Sequence, residues 1–169
     1  NEVVQRVFSQ LWNTGYIYKR KSKIPYCETC QSYQHEAYIS GLCHYCKHEI
    51  SGNICEHCMQ YNAEENILNP YCTFCKGTLS WLDKPRYYFK LSQFKIKLLN
   101  YFQKTMLPTF AKTYCYSYLN NLEDIAISHY GSGGCAIEHG DSKIPVYSYF
   151  ELIIRYLVLI KRYYKDLST

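Results

Sequence analysis

Eight cysteines between Tyr26 and Cys75 stand in four Cys-x-x-Cys pairs: Cys27 with Cys30, Cys43 with Cys46, Cys55 with Cys58, and Cys72 with Cys75. The two-residue gap lets both thiolates of one tight turn point at one ion, with Zn–S near ~2.3 Å. The gaps between successive pairs are 12, 8 and 13 residues. Eight thiolates fill two tetrahedral sites of four sulfurs each. Such sites keep no position for water, so their role is structural rather than catalytic. Zinc is the expected ion, two per chain. An iron–sulfur cluster is a lesser alternative, as is a redox dithiol, which needs a strand–helix setting that none of the pairs has. Spacing leaves open which pairs share an ion. Sequential pairing joins the first knuckle to the second and the third to the fourth. Nested pairing joins the second to the third across the short link, and the first to the fourth. His44 and His57 lie inside knuckles, but with four cysteines per site they read as surface residues. Cys115 and Cys135 fall outside any pair and read as packing or turn residues. Zinc is worth roughly 10–16 kcal/mol in comparable peptides, so its removal is expected to unfold residues 26–76.

The elements that must position these sulfurs flank them. Val3, Val4, Val7, Phe8, Leu11 and Trp12 recur at helical spacing, which predicts a helix over 1–14 ended by Gly15 in a left-handed cap. Tyr16 to Tyr18 reads as a short extended segment, followed by the basic cluster Lys19, Arg20, Lys21 and Lys23. Residues 26–76 are turn-rich, and short strands or single turns are expected there. Tyr87, Phe89 and Leu91 alternate as in a strand; from Ser92, the residues Phe94, Leu98 and Phe102 take helical spacing. A helix is expected within 110–130, with "LEDIAISHY" ending in a strand. "GSGGC" at 131–135 is a flexible turn rather than a phosphate loop. "KIPVYSYFE" over 143–151 reads as a strand and 150–167 as a helix.

The 169 residues suit one domain, or a small domain with an insertion, and 47% hydrophobic content can build a core. The formal net charge of +5 permits an anionic partner without establishing one. Seven Lys or Arg and no Asp or Glu lie between Lys84 and Leu122, a local positive field that faces either phosphate or solvent. Twenty tyrosines could form a stacking surface for bases, but their scatter reads as core or as compositional bias. No stretch reads as a membrane span, because the run from Leu152 to Ile160 is short and broken by Arg155. No secretion signal is visible, and the chain opens on Asn1, which reads as lost residues at its start. Reduced thiols and no such signal point to the cytoplasm. His129, Glu138, His139 and Asp141 cluster near Cys135, but they read as a solvated loop rather than an acid–base site.

The helix ending "GYIY", then "YCETC", "GLCHYC", "GNICEHC", "NPYCTFC" and "YYFKLSQF", resembles the methionyl-tRNA synthetases in their four-knuckle, two-zinc form. The resemblance covers the connective peptide inserted between the two halves of a class I Rossmann fold, best from about Val3 to Phe94. It implies nested pairing: Cys27, Cys30, Cys72 and Cys75 at site one, and Cys43, Cys46, Cys55 and Cys58 at site two. It implies an α+β fold, a zinc-ribbon-like knuckle module of short strands flanked by helices, with a partial Rossmann α/β remnant. The divisions would be a helix and strand over 1–25, the two-zinc module over 26–76, a helical return over 77–125, and the start of the second Rossmann half over 126–169. Beyond Phe94, "LEDIAISHYGSGGCAIE" is similar to a family stretch "DIAISR…WGIPIP", with His129 at its Arg and Gly133-Gly134 at its Trp-Gly. "VYSYFELIIRYL" is similar to the family strand "VYVWFDA–IGYL" of the methionine pocket, with Tyr149 at its Trp and Glu151 at its acid. No HIGH-type or KMSKS-type motif occurs in the chain, so ATP belongs to the parent family and no catalytic residue is expected here. The expected partners are tRNA and the missing parts of a synthetase or another protein. A fragment of this kind should leave the apolar faces of helix 1–14 and strand 146–150 exposed. The alternative is a free-standing zinc-dependent module that binds RNA or docks on a protein.

Overall fold

The computed structural model describes residues 1–163. Helix α1 (Glu2–Asn13) buries Val4 and Phe8, each contributing roughly 1.5–3 kcal/mol. It ends as expected. Gly15 takes φ +75°, its N–H reaches the Trp12 carbonyl, and the Tyr16 N–H reaches that of Leu11 at 2.9 Å, the Schellman arrangement that glycine makes cheap.

Strand β1 (Ile17–Cys27) is far longer than the short segment expected at 16–18. The basic cluster lies inside it, because β6 (Ser80–Phe89) satisfies its backbone along the whole length, from Ile17 opposite Phe89 to Tyr26 opposite Ser80. Strands β2 (Ser32–Tyr33) and β7 (Ile125–Ala126) complete a sheet of order β2-β1-β6-β7. Residues 28–79 hang from one end of the β1–β6 ladder. They hold a second sheet of order β4-β3-β5, made of β3 (Ile39–Leu42), β4 (Glu49–Ser51) and β5 (Leu68–Cys72). The strands there are short, as the turn-rich sequence implies.

Past β6 the strand stops at Phe89, and Leu91–Phe94 forms a 3-10 turn instead of continuing it. Helices α2 (Lys95–Lys104) and α3 (Thr109–Asn120) follow, then β7 and a hairpin of β8 (Ala136–His139) and β9 (Ser142–Pro145). The expected strand over 143–151 is cut short. Helix α4 (Ser148–Tyr163) begins at Ser148. The Glu36 carboxylate accepts hydrogen bonds from the Ser148 N–H at 2.8 Å and from its hydroxyl at 2.7 Å. An acid there satisfies orphan donors and favours the positive helix end. Residues 164–167 of the expected helix lie outside the described residues.

The main core joins α1, the sheet, the β8–β9 hairpin and α4 through Phe8, Ile17, Tyr87, Ile127, Ile137 and Phe150. A second core fills the cysteine module around Ile39, Ile50 and Ile67. The apolar face of α1 and residues Val146, Tyr147 and Phe150 are therefore covered, contrary to the expected exposure. A run of exposed apolar side chains lies on α4 instead, at Leu152, Ile153, Tyr156, Leu157, Leu159 and Ile160, and further single ones such as Phe74, Ile96, Met106 and Phe110 lie elsewhere. Every strand pairing among the described residues is antiparallel.

Candidate metal centres

Each cysteine pair sits on the same kind of turn. The residue after the second cysteine is left-handed in all four: Gln31 (φ 49°), Lys47 (65°), Met59 (58°) and Lys76 (60°). In three of them the N–H of that residue returns to the first cysteine's carbonyl, at 3.0, 2.8 and 2.9 Å for Lys47, Met59 and Lys76. Those three first cysteines also donate their own N–H five residues on, Cys43 to His48, Cys55 to Gln60 and Cys72 to Gly77. Cys27 pairs with Ser32 at the same offset. These turns aim both sulfurs of a pair to one side.

The turns come together in nested order. Cys27, Cys30, Cys72 and Cys75 form one set and Cys43, Cys46, Cys55 and Cys58 the other, with the donor atoms of each set within 4.8 Å of one another. Sulfur separations are 3.4 Å for Cys27–Cys75 and 3.8 Å for Cys30–Cys72, and 3.6 Å for Cys43–Cys58 and 3.5 Å for Cys46–Cys55. A tetrahedron with Zn–S of ~2.3 Å has edges of about 3.8 Å, so the donor sets fit zinc, and each could hold one ion. All eight are free thiols.

The surroundings favour thiolate at Cys43 and Cys75 and the neutral thiol at Cys27, Cys30, Cys55 and Cys58. The Gly77 N–H lies 3.4 Å from Cys75 Sγ and, as the largest cause, draws that thiol down to about 7, while the hydrogen bond to Cys75 and burial push Cys30 up to about 12. Crowded sulfurs cannot all ionise without a cation between them. In the second set, buried Asn62 donates from Nδ2 to Cys43 Sγ at 3.5 Å and accepts the His44 N–H at 2.8 Å. Cys43 and Cys55 are fully buried, whereas Cys46 and Cys58 are partly exposed. His44 and His57 are exposed and lie outside the sulfur sets. His57 stacks on His48, a residue that sequence reasoning did not single out.

Tyr149, the expected pocket residue, is on the first turn of α4. Its hydroxyl donates to the Ala126 carbonyl, and its ring stacks on Tyr147 at 5.2 Å. It borders an apolar cavity of about 480 Å³ with Val7, Leu11, Phe89, Tyr118 and Ile154. Glu151 is bound to Arg155 at 2.5 Å and accepts the Cys135 N–H at 3.2 Å. Cys135 is buried, and its thiol reaches Asn1 Oδ1 at 3.0 Å. His139 packs among Phe8, Trp12 and Tyr87. No hydrogen bond joins Cys135 to His139 among the described residues. Cys115 is half-buried on α3.

A buried polar cluster, unforeseen in the sequence, ties the module to the segment before α4. Arg86 of β6 and Glu64 are 1% and 0% exposed and pair at 2.9 Å. Tyr147 donates to Glu64 and lies 3.4 Å from Arg86 Nη1. Burial, the largest influence, acts to raise the Glu64 carboxyl, but the Arg86 charge and the hydrogen bonds from Tyr147 and Arg86 together hold the group below its usual value. Arg86 is thus absent from the exposed positive field. His129 is also buried and stacks on His35 at 3.8 Å and 8°. Burial, helped by the nearby His35, lowers it to about 4.

A family model described as tRNA synthetases class I (M) matches residues 1–169. The chain is 30% identical over 157 residues to the methionine–tRNA ligase of Methanococcus aeolicus, covering 93% of this chain and 23% of that protein. It is 29% identical over 162 residues to that of Methanococcus maripaludis, covering 95% and 24%. It thus spans about a quarter of the length of the curated relatives it matches. The Mycobacterium tuberculosis methionyl-tRNA synthetase in complex with methionyl-adenylate shares the fold at a TM-score of 0.57 and 17% identity, covering 99% of this chain and 29% of that one. No described helix is long and apolar enough to cross a membrane.

Proposed function

Because the chain belongs to the class I tRNA synthetases of the M type, we propose that it is the zinc-binding connective-peptide portion of a methionyl-tRNA synthetase-like protein whose parent ligates methionine to tRNA using ATP. The observation that carries this reading is the collection of eight cysteines into two four-sulfur sets with edges near those of a zinc tetrahedron. In this reading Cys27, Cys30, Cys72 and Cys75 hold one zinc ion and Cys43, Cys46, Cys55 and Cys58 the other. Zinc supplies fixed geometry and charge neutralisation there, not an open coordination position. The sulfurs lock four turns, and the module they build is anchored to the sheet through Glu64 and Arg86.

In this reading the chain divides into 1–25, 26–76, 77–125 and 126–169, with the last as the start of the second Rossmann half. A parallel strand partner for that half would come from outside this chain. Tyr149 lines the apolar cavity, while its ring stacks on Tyr147 and its hydroxyl is bound to the Ala126 carbonyl. An apolar wall of this kind suits a methionine side chain. The chain holds no HIGH-type or KMSKS-type motif, so the α-phosphate charge of adenylate formation would meet donors supplied elsewhere. The reading places tRNA with the parent protein and the chain in the reducing cytoplasm.

The intact mass of the natural polypeptide tests the reading, together with methionine-dependent ATP–pyrophosphate exchange. A mass three or four times 20.1 kDa, with exchange and zinc bound, is the expected result. A native mass near 20 kDa without exchange would replace it with the free-standing RNA-binding or docking module. RNA affinity that falls steeply with salt would then mark the RNA case.

A further inference from the structure

Outside the two sulfur sets, one group of metal-binding side chains stands against them. The rings of His48 and His57 stack in parallel, with centroids 3.5 Å apart and planes 11° off. Both residues are exposed. The donor atoms of Cys46, His48 and His57 all lie within 4.8 Å of one another. His48 Nδ1 is 3.2 Å from the Cys46 carbonyl oxygen, which leaves Nε2 for another partner. The His57 ring has no hydrogen bond among the described residues. Two imidazole nitrogens on one tetrahedral ion at ~2.0–2.1 Å stand about 3.4 Å apart, inside the 4.8 Å that spans the three donors. The parallel rings aim their in-plane lone pairs side by side, so the two exposed side chains unstack and turn toward each other to converge on one ion.

The position matters as much as the donors. In the second sulfur set Cys43 and Cys55 are sealed, so an ion reaches it from the side of Cys46 and Cys58. Cys46 is the sulfur shared with the histidine pair. The first set has no such histidines beside it among the described residues.

We propose that His48, His57 and the Cys46 thiolate form a third, exposed site for a divalent transition-metal ion, through which ions pass into and out of the second sulfur set. The inference rests on zinc occupying the two sets, as in the function proposed above. An arriving ion takes one nitrogen from each imidazole and a second lone pair of Cys46, whose sulfur then bridges two ions. The bridge lets the bound ion and the arriving ion exchange places. The arriving ion sheds bound water as it gains nitrogen and sulfur ligands, the departing ion takes water up as it loses them, and no electron moves.

The test uses the full chain loaded with zinc, its metal content first measured. Fewer than two tightly held ions would overturn the zinc reading itself, apart from this inference. With two present, further Zn²⁺ is titrated in while the imidazole NMR signals are followed. His48 and His57 should shift together, with His44 unmoved; unmoved His48 and His57 signals would overturn the proposal. Next, exchange with a heavy zinc isotope is followed by native mass spectrometry. One ion should exchange faster than the other. The double variant His48→Ala/His57→Ala should slow that phase by roughly tenfold or more, the scale on which neighbouring groups tune a metal site, and leave the slower ion untouched. Wild-type exchange of both ions in the double variant would overturn it. If that variant does not keep two ions, His48→Gln/His57→Gln and the wild-type titration decide.

Discussion

Arg86 and Glu64 form a charge pair from which water is almost wholly excluded. Removing one partner strands the other charge, at a cost of about 3–5 kcal/mol, while an apolar pair of similar volume can be near neutral. We expect Glu64→Gln or Arg86→Met to lower unfolding stability by that amount, and the double variant Glu64→Leu/Arg86→Met to recover much of it. Urea denaturation of the metal-loaded chain checks this; equal losses in the single and double variants would sink it. His129 gives the pH dependence. Burial lowers its folded pKa to about 4, so the unfolded chain takes up the proton first, near the ordinary value of about 6.5. Its contribution is full above pH 6.5 and is lost as pH falls toward 4. At pH 5 about 2 kcal/mol should be gone relative to pH 7.5, and His129→Gln should flatten that part of the profile. Neither buried group was legible in the sequence. Arg86 reads there as one more cation in a basic stretch, because charge counts carry no information on burial. His129 sat beside Glu138, His139 and Asp141 in the sequence, yet it faces His35 from another element.

The four cysteine turns could be read in advance because everything that makes them is local: a two-residue gap and a reversal after the second sulfur. What the spacing could not supply was the partnering of turns, since that depends on β3 pairing with both β4 and β5. The turns make their own prediction. Lys47 sits at φ 65°, where a side chain costs about 1–2 kcal/mol and glycine is free but loses up to about 1 kcal/mol of chain entropy. Lys47→Gly should therefore raise the melting temperature slightly or leave it unchanged, and Lys47→Val should lower it clearly. Calorimetry of the loaded chain would refute this if valine were the better tolerated. The start of α4 illustrates the opposite limit. "VYSYFE" alternates like a strand, but the Glu36 carboxylate caps Ser148 from 112 residues away, and the helix begins there. Pattern alone cannot see a cap that arrives from another part of the chain.

Over the whole molecule, the module and the main core are separate hydrophobic clusters, tied by the Glu64–Arg86 pair and by the Glu36 cap at the start of α4. That helix shows apolar side chains to solvent along most of its length. A contiguous apolar face of this kind drives association or marks a covered surface. The isolated chain should bind a hydrophobic dye and self-associate, and Leu152→Lys/Leu159→Lys should reduce both while leaving metal content unchanged. Light scattering with dye fluorescence would settle it; a double variant that behaves like the parent would exclude α4 as the cause.

The nesting of the two sulfur sets also makes the chain a pair of concentric rings. The inner ring closes across the 8 residues between Cys46 and Cys55, the outer across the 41 between Cys30 and Cys72. Loop-closure entropy scales as (3/2)RT ln n, so closing the outer ring first costs about 1.4 kcal/mol more than closing the inner. Once the inner ring is shut, only the 12 and 13 residues on either side of it remain free, which lightens the outer closure by about 0.4 kcal/mol. Two sets with identical donors thus acquire a rank: in a chain that takes up two ions, the last bound would be the outer one, across a span already shortened by the first.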